Sequence, residues 1–131
     1  MKAIRWGVPL VAGMLFHVAA MGEDKVWTAH IAADGEVLRQ WPQWITEVQH
    51  QPQDNYYSLY KLTLNPRIVQ QDPGFCTVSP IDASNYERQM HGQAKVIGKP
   101  VAELFTVMTQ LVDVEGASGD NSLELMVMCT R

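Results

Sequence analysis

From residue 26 onward, apolar and polar positions alternate in short bursts separated by turn-forming residues. In residues 26–31, Trp27, Ala29 and Ile31 share one face of an extended segment. Asp34-Gly35 follows, and both positions of such a two-residue turn tolerate positive φ. Residues 36–40 return, which predicts a hairpin over 26–40. Trp41-Pro42-Gln43 interrupts the pattern, because proline donates no ladder hydrogen bond. Residues 44–48 resume as a short strand, and the polar stretch 50–55, holding Pro52, reads as a loop. Residues 56–64 give the cleanest alternation, with Tyr60, Leu62 and Leu64 on one side and Lys61 and Thr63 on the other. Ile68-Val69 suggests a brief pairing. Residues 75–78 read as a strand, residues 79–92 as a long aperiodic loop, and residues 94–97 as another short strand.

Residues 101–113 fit two periods. Val101, Leu104, Phe105, Met108, Leu111 and Val112 would line one face of a helix. As a strand, Phe105, Val107, Thr109 and Leu111 alternate with Leu104, Thr106, Met108 and Gln110. The polar loop at 115–121 and the alternation of Leu123, Leu125, Val127 and Cys129 with Glu124, Met126 and Met128 favour strand, with 104–112 and 122–129 pairing as a closing hairpin. Many short strands with turn signals between them predict an all-β fold: a single small antiparallel β-sandwich, jelly-roll-like.

The first residues change the picture of where the protein works. Lys2 and Arg5 precede an apolar run from Val8 to Ala20, and Ala20-Met21-Gly22 forms a small-x-small motif. This tripartite pattern reads as a cleaved signal peptide over residues 1–22, with Val18-Ala19-Ala20 as the competing site. The run is short of the about 20 residues that span a bilayer, so no stable membrane insertion is expected after cleavage. A domain of 23–131 remains, and the protein is expected to be periplasmic or secreted.

Two of the ten basic residues and none of the fourteen acidic ones precede Glu23. Eight basic residues against fourteen acidic give the remainder a net charge of −6, which disfavours nucleic acid as a partner. Cys76 and Cys129 are the only cysteines. In an oxidising compartment an even count reads as a disulfide, here expected to tie the last strand to a middle strand inside the core.

The order Ala29-x-Ile31-x-x-Asp34-Gly35-x-Val37-x-x-Gln40, Trp44-Ile45-x-x-Val48, Tyr60-x-Leu62-x-Leu64, Pro73-x-x-Cys76-x-Val78 and Ser118-Gly119-Asp120-x-Ser122-x-x-Leu125-x-Val127-x-Cys129 spans most of residues 26–131. It resembles the β-sandwich modules of phage tail-fibre ends and of small secreted bacterial proteins of unassigned role. The chain departs from them at residues 51–55, where those modules usually place a glycine. The resemblance implies a fold and a binding role, and carries over no catalytic residue.

Candidate chemistry is sparse. His30, His50 and His91 have no ligand-type neighbour at i+2 on a strand or i+4 on a helix, so neither metal nor cofactor is expected. Ser79, Ser84, Ser118 and Ser122 fall in turns or loops, and none lies in G-x-S-x-G. Aromatics say more. Trp41, beside Pro42, and the pair Tyr56 and Tyr57 near a loop tip could form a platform for a sugar or peptide, since aromatics give contact area at low entropic cost. The sequence therefore points to an exported, non-enzymatic binding module of the bacterial envelope whose partner is a protein or an envelope glycan. An immunity or inhibitor protein against a cell-wall-directed toxin or hydrolase is one concrete form. A structural subunit of a surface appendage and a small periplasmic hydrolase are the alternatives.

Overall fold

A computed structural model describes residues 26–81 and 86–131. Residues 1–22, expected to be a signal peptide, lie outside the described residues. Eight strands follow in order: β1 (Val26–Ile31), β2 (Val37–Trp41), β3 (Ile45–Gln53), β4 (Tyr57–Leu64), β5 (Phe75–Ile81), β6 (Gly92–Ile97), β7 (Leu104–Leu111) and β8 (Glu124–Thr130). One short helix, α1 (Tyr86–His91), precedes β6. The strands form two four-stranded antiparallel sheets, a front sheet ordered β2-β1-β8-β5 and a back sheet ordered β3-β4-β7-β6. The chain is thus an all-β sandwich closed by one disulfide, Cys76–Cys129.

Alternation decides what fills the space between the sheets. Trp27, Ala29 and Ile31 of β1 and Leu125, Val127 and Cys129 of β8 point inward from the front. Tyr60, Leu62 and Leu64 of β4 and Phe105 and Val107 of β7 meet them from the back. Trp44 and Val69, from connections rather than strands, complete the core. Burying side chains of this size contributes about 1.5–3 kcal/mol each. Trp44 also donates its indole N–H to the Thr28 carbonyl at 2.8 Å and stacks on Trp27 with centroids 6.0 Å apart. It thereby anchors the corner at which the chain leaves the front sheet for the back. Gln40 bridges that corner, accepting from the Ile45 N–H (2.8 Å) and donating to the Ile45 carbonyl (3.1 Å).

The β1–β2 hairpin turns where Asp34-Gly35 predicts it, with Gly35 at φ +96. A side chain there would meet the His50 Cβ at 3.1 Å, so the turn rests on β3 and only glycine fits it freely.

The structure corrects several sequence expectations. The expected loop at 50–55 is strand, because β3 runs to Gln53 and turns only at residues 54–56, with Asn55 at φ 70. Pro52 pairs opposite Ser58, and Pro80 pairs opposite Leu125. Both prolines are tolerated because β3 and β5 are edge strands, where a missing N–H can face away from the ladder. The expected loop at 79–92 is instead the end of β5, then α1, with Gly92 opening β6. Ile68-Val69 does not pair. The Asn65 carbonyl accepts from both of their N–H groups, making a turn that drops Val69 into the core.

Residues 104–111 are strand, yet the closing hairpin does not form. β7 lies between β4 and β6 in the back sheet, and β8 between β1 and β5 in the front. The loop between them is a crossover, locked by buried Asn121. Its Oδ1 accepts from the Leu111 N–H at 2.7 Å, and its carbonyl accepts from the Thr109 hydroxyl at 2.7 Å. The disulfide, in turn, joins adjacent strands of one sheet, since Cys76 and Cys129 are direct partners in the β5–β8 register.

Candidate functional site

The outward face of the front sheet is the surface on which the fold concentrates unused chemistry. β8 buries Leu125, Val127 and Cys129 and so turns Glu124, Met126 and Met128 outward. β1 does the same with Thr28 and His30. Between β1 and β2 the register shifts at His30/Ile31, so Val37 pairs with Ile31 while Arg39 pairs with His30 and Trp41 with Thr28. That extra residue in β2 lets Val37 pack on the core and still aims Arg39 and Trp41 outward.

Two rows then cross all four strands. One reads Trp41, Thr28, Met128, Thr77, and the other Arg39, His30, Met126, Ser79. These side chains line a groove of about 470 Å³. Trp41 is 71% exposed and Met126 44% exposed. Thr28, Thr77 and Ser79 are short, which leaves the hollow between the larger side chains. His30 Nε2 lies 2.6 Å from Glu124 Oε2, a diagonal contact one step along the outward face of β8. Two other hollows, around Gln70-Gln71 and around Pro66-Ala102, carry no exposed aromatic side chain.

Of the aromatics singled out from sequence, Trp41 belongs to this groove and the tyrosines do not. Tyr56 is 63% exposed at the β3–β4 turn, and Tyr57 opens β4 in the back sheet. The three do not form one platform, because they sit on different sheets. His30 was weighed only as a metal ligand, and Met126 and Met128 were not singled out, although the alternation of β1 and β8 already sets all three on outward faces.

A second polar cluster lies between the sheets. His50, on β3 rather than in a loop, stacks on Tyr60 with ring centroids 4.9 Å apart. Its Nε2 is 2.9 Å from the Ser58 hydroxyl and 2.7 Å from the Ser122 hydroxyl, and the two hydroxyls are 3.0 Å apart. The sequence carried no motif joining a serine to a histidine, but the fold brings two to one. Ser58 is 0% and Ser122 7% exposed, so neither oxygen can meet a substrate as the chain stands. A nucleophile needs both a base and access, and this cluster has only the first. The cluster ties the crossover to the β3–β4 hairpin.

Tyr60 extends the same network, donating its hydroxyl proton toward the Ala33 carbonyl at 2.6 Å, with the Leu123 carbonyl at 3.3 Å. Burial pushes the Tyr60 phenol above its ordinary range, only partly offset by the surrounding hydroxyls. At the rim, burial opposes ionisation of Asp120. Hydrogen bonds from the Ser122 hydroxyl and N–H, with Arg88 and His50 nearby, nevertheless hold its carboxyl below the usual value.

Among the described residues no three of His, Cys, Asp and Glu come together as a metal site, and no helix is long and apolar enough to cross a membrane. No protein-family model, curated protein or solved structure matches this chain.

Proposed function

We propose that the protein is an exported binding module of the bacterial envelope that holds a basic protein partner against the outward face of its front sheet. The observation that carries this reading is the groove between Trp41 and the Met126–Met128 pair. Trp and Met are enriched where surfaces meet partners, and a tryptophan left mostly in water supplies a large contact area once covered. A net charge of −6 after cleavage favours a basic partner and speeds encounter with it. A cell-wall-directed hydrolase or toxin fits that description, which would make this chain its inhibitor or immunity protein. The disulfide is suited to the oxidising space in which such partners act.

The test compares capture from envelope extracts by the exported protein, Trp41→Ala and Tyr56→Ala. A basic protein retained by the wild type and Tyr56→Ala, and lost with Trp41→Ala, supports the reading. Equal retention by all three, or binding only to purified cell-wall glycan, contradicts it.

A further inference from the structure

We propose that Met126, Met128 and His30 form a binding site for a soft monovalent cation, Cu(I), on the outward face of the front sheet. The site lies in the same groove as the partner surface proposed above, but needs no protein partner.

The placement comes from register. Met126 and Met128 are two residues apart on one strand, so both project from the same face. His30 is the direct cross-strand partner of Met126. Directly opposed Cβ atoms lie about 4.5–5.5 Å apart. Two flexible thioether side chains and an imidazole at such spacing can converge on one ion. All three line one groove, so an ion would have both space and an entry path.

The donor set selects the ion. Thioether sulfur is soft and neutral, and two of them with one imidazole favour Cu(I) over Zn(II) and over hard cations that demand oxygen ligands. Thioethers need no deprotonation and form no disulfides. Thiols cannot compete here, since both cysteines are bonded to each other and none is free.

Glu124 supplies the supporting contact. His30 Nε2 lies 2.6 Å from Glu124 Oε2, and with that nitrogen as the donor to the carboxylate, Nδ1 is the nitrogen left to bind a metal. A carboxylate on the far nitrogen of a ligating histidine orients the ring. Trp41 lines the same groove beyond the short Thr28 side chain, where its indole face can attract the bound cation and screen it from water. Sequence spacing around His30 offers no such set, because Met126 meets it only across the β1–β8 ladder.

The test uses untagged, oxidised, exported protein and two probes: Cu(I) under anaerobic conditions and Ag(I) as a redox-stable substitute. Methionine methyl resonances and tryptophan fluorescence are followed through the titration. The expected result is one ion per chain, with the Met126 and Met128 methyls shifted and the exposed Met90 methyl unmoved. The volume-conserving double variant M126L/M128L should keep its fold and lose the saturable binding. Met90→Leu should bind as the wild type does. Glu124→Ala should weaken binding about 10- to 100-fold, the usual loss for such a support. Trp41→Ala should weaken it about two- to fivefold, as for an exposed cation–π contact. Absence of one-to-one binding in the wild type, or unchanged binding in the folded double variant, would overturn the proposal.

Discussion

Cys76 and Cys129 face each other across β5 and β8, with Cα atoms 4.1 Å apart, so the disulfide fastens an edge strand to a central strand of the same sheet. It closes a loop of 53 residues that contains β6, β7 and the crossover. The two half-cystines differ in surroundings, Cys129 being fully buried and Cys76 partly exposed.

Replacing both cysteines with serine is expected to cost about 4 kcal/mol by the chain-entropy estimate for a loop of this size. That is a large share of the roughly 5–15 kcal/mol available to a small domain. Thermal melts with and without reductant check it: reductant should lower the midpoint of the wild type and leave the double variant unmoved.

Tyr60→Phe removes a donor but leaves the Ala33 and Leu123 carbonyls in place. The expected loss is about 1–2 kcal/mol. The phenol also links stability to pH. Its folded pKa is raised, so its contribution is fully present below the ordinary value of 10.0 and is lost as pH rises through the folded value. Denaturant unfolding between neutral and strongly alkaline pH should therefore show a decline that is smaller in Tyr60→Phe. An identical decline in both proteins would contradict this assignment.

Strands were legible wherever one face is buried and the other wet. The alternation in 56–64, 104–111 and 123–129 set the inward residues correctly, and Asp34-Gly35 located its turn. Edge strands were legible only in part: 36–40, 44–48, 75–78 and 94–97 read as strands, but the far ends of β3 and β5 read as loops. Gln51, Pro52 and Gln53 are polar and contain proline because β3 presents a side with no neighbour, which in sequence looks like a loop. Partnership was the larger gap. β7 and β8 are consecutive, and a local hairpin satisfies the same pattern as a crossover. The long-range pairings distinguish the two, β7 with β4 and β6 and β8 with β1 and β5, and no local periodicity encodes them. The groove was half visible: the outward positions of Met126 and Met128 follow from alternation, whereas His30 meets Glu124 across 94 residues of sequence.

We propose the outward face of the front sheet as the surface that holds the partner. Amide hydrogen exchange of the protein alone and with its captured partner tests it most directly. Slowed exchange is expected in β1, β2 and β8, including the segments that carry Thr28, Trp41 and Met128, with the β3–β4 turn at Tyr56 unchanged. Protection confined to that turn, or to the back sheet, would contradict it.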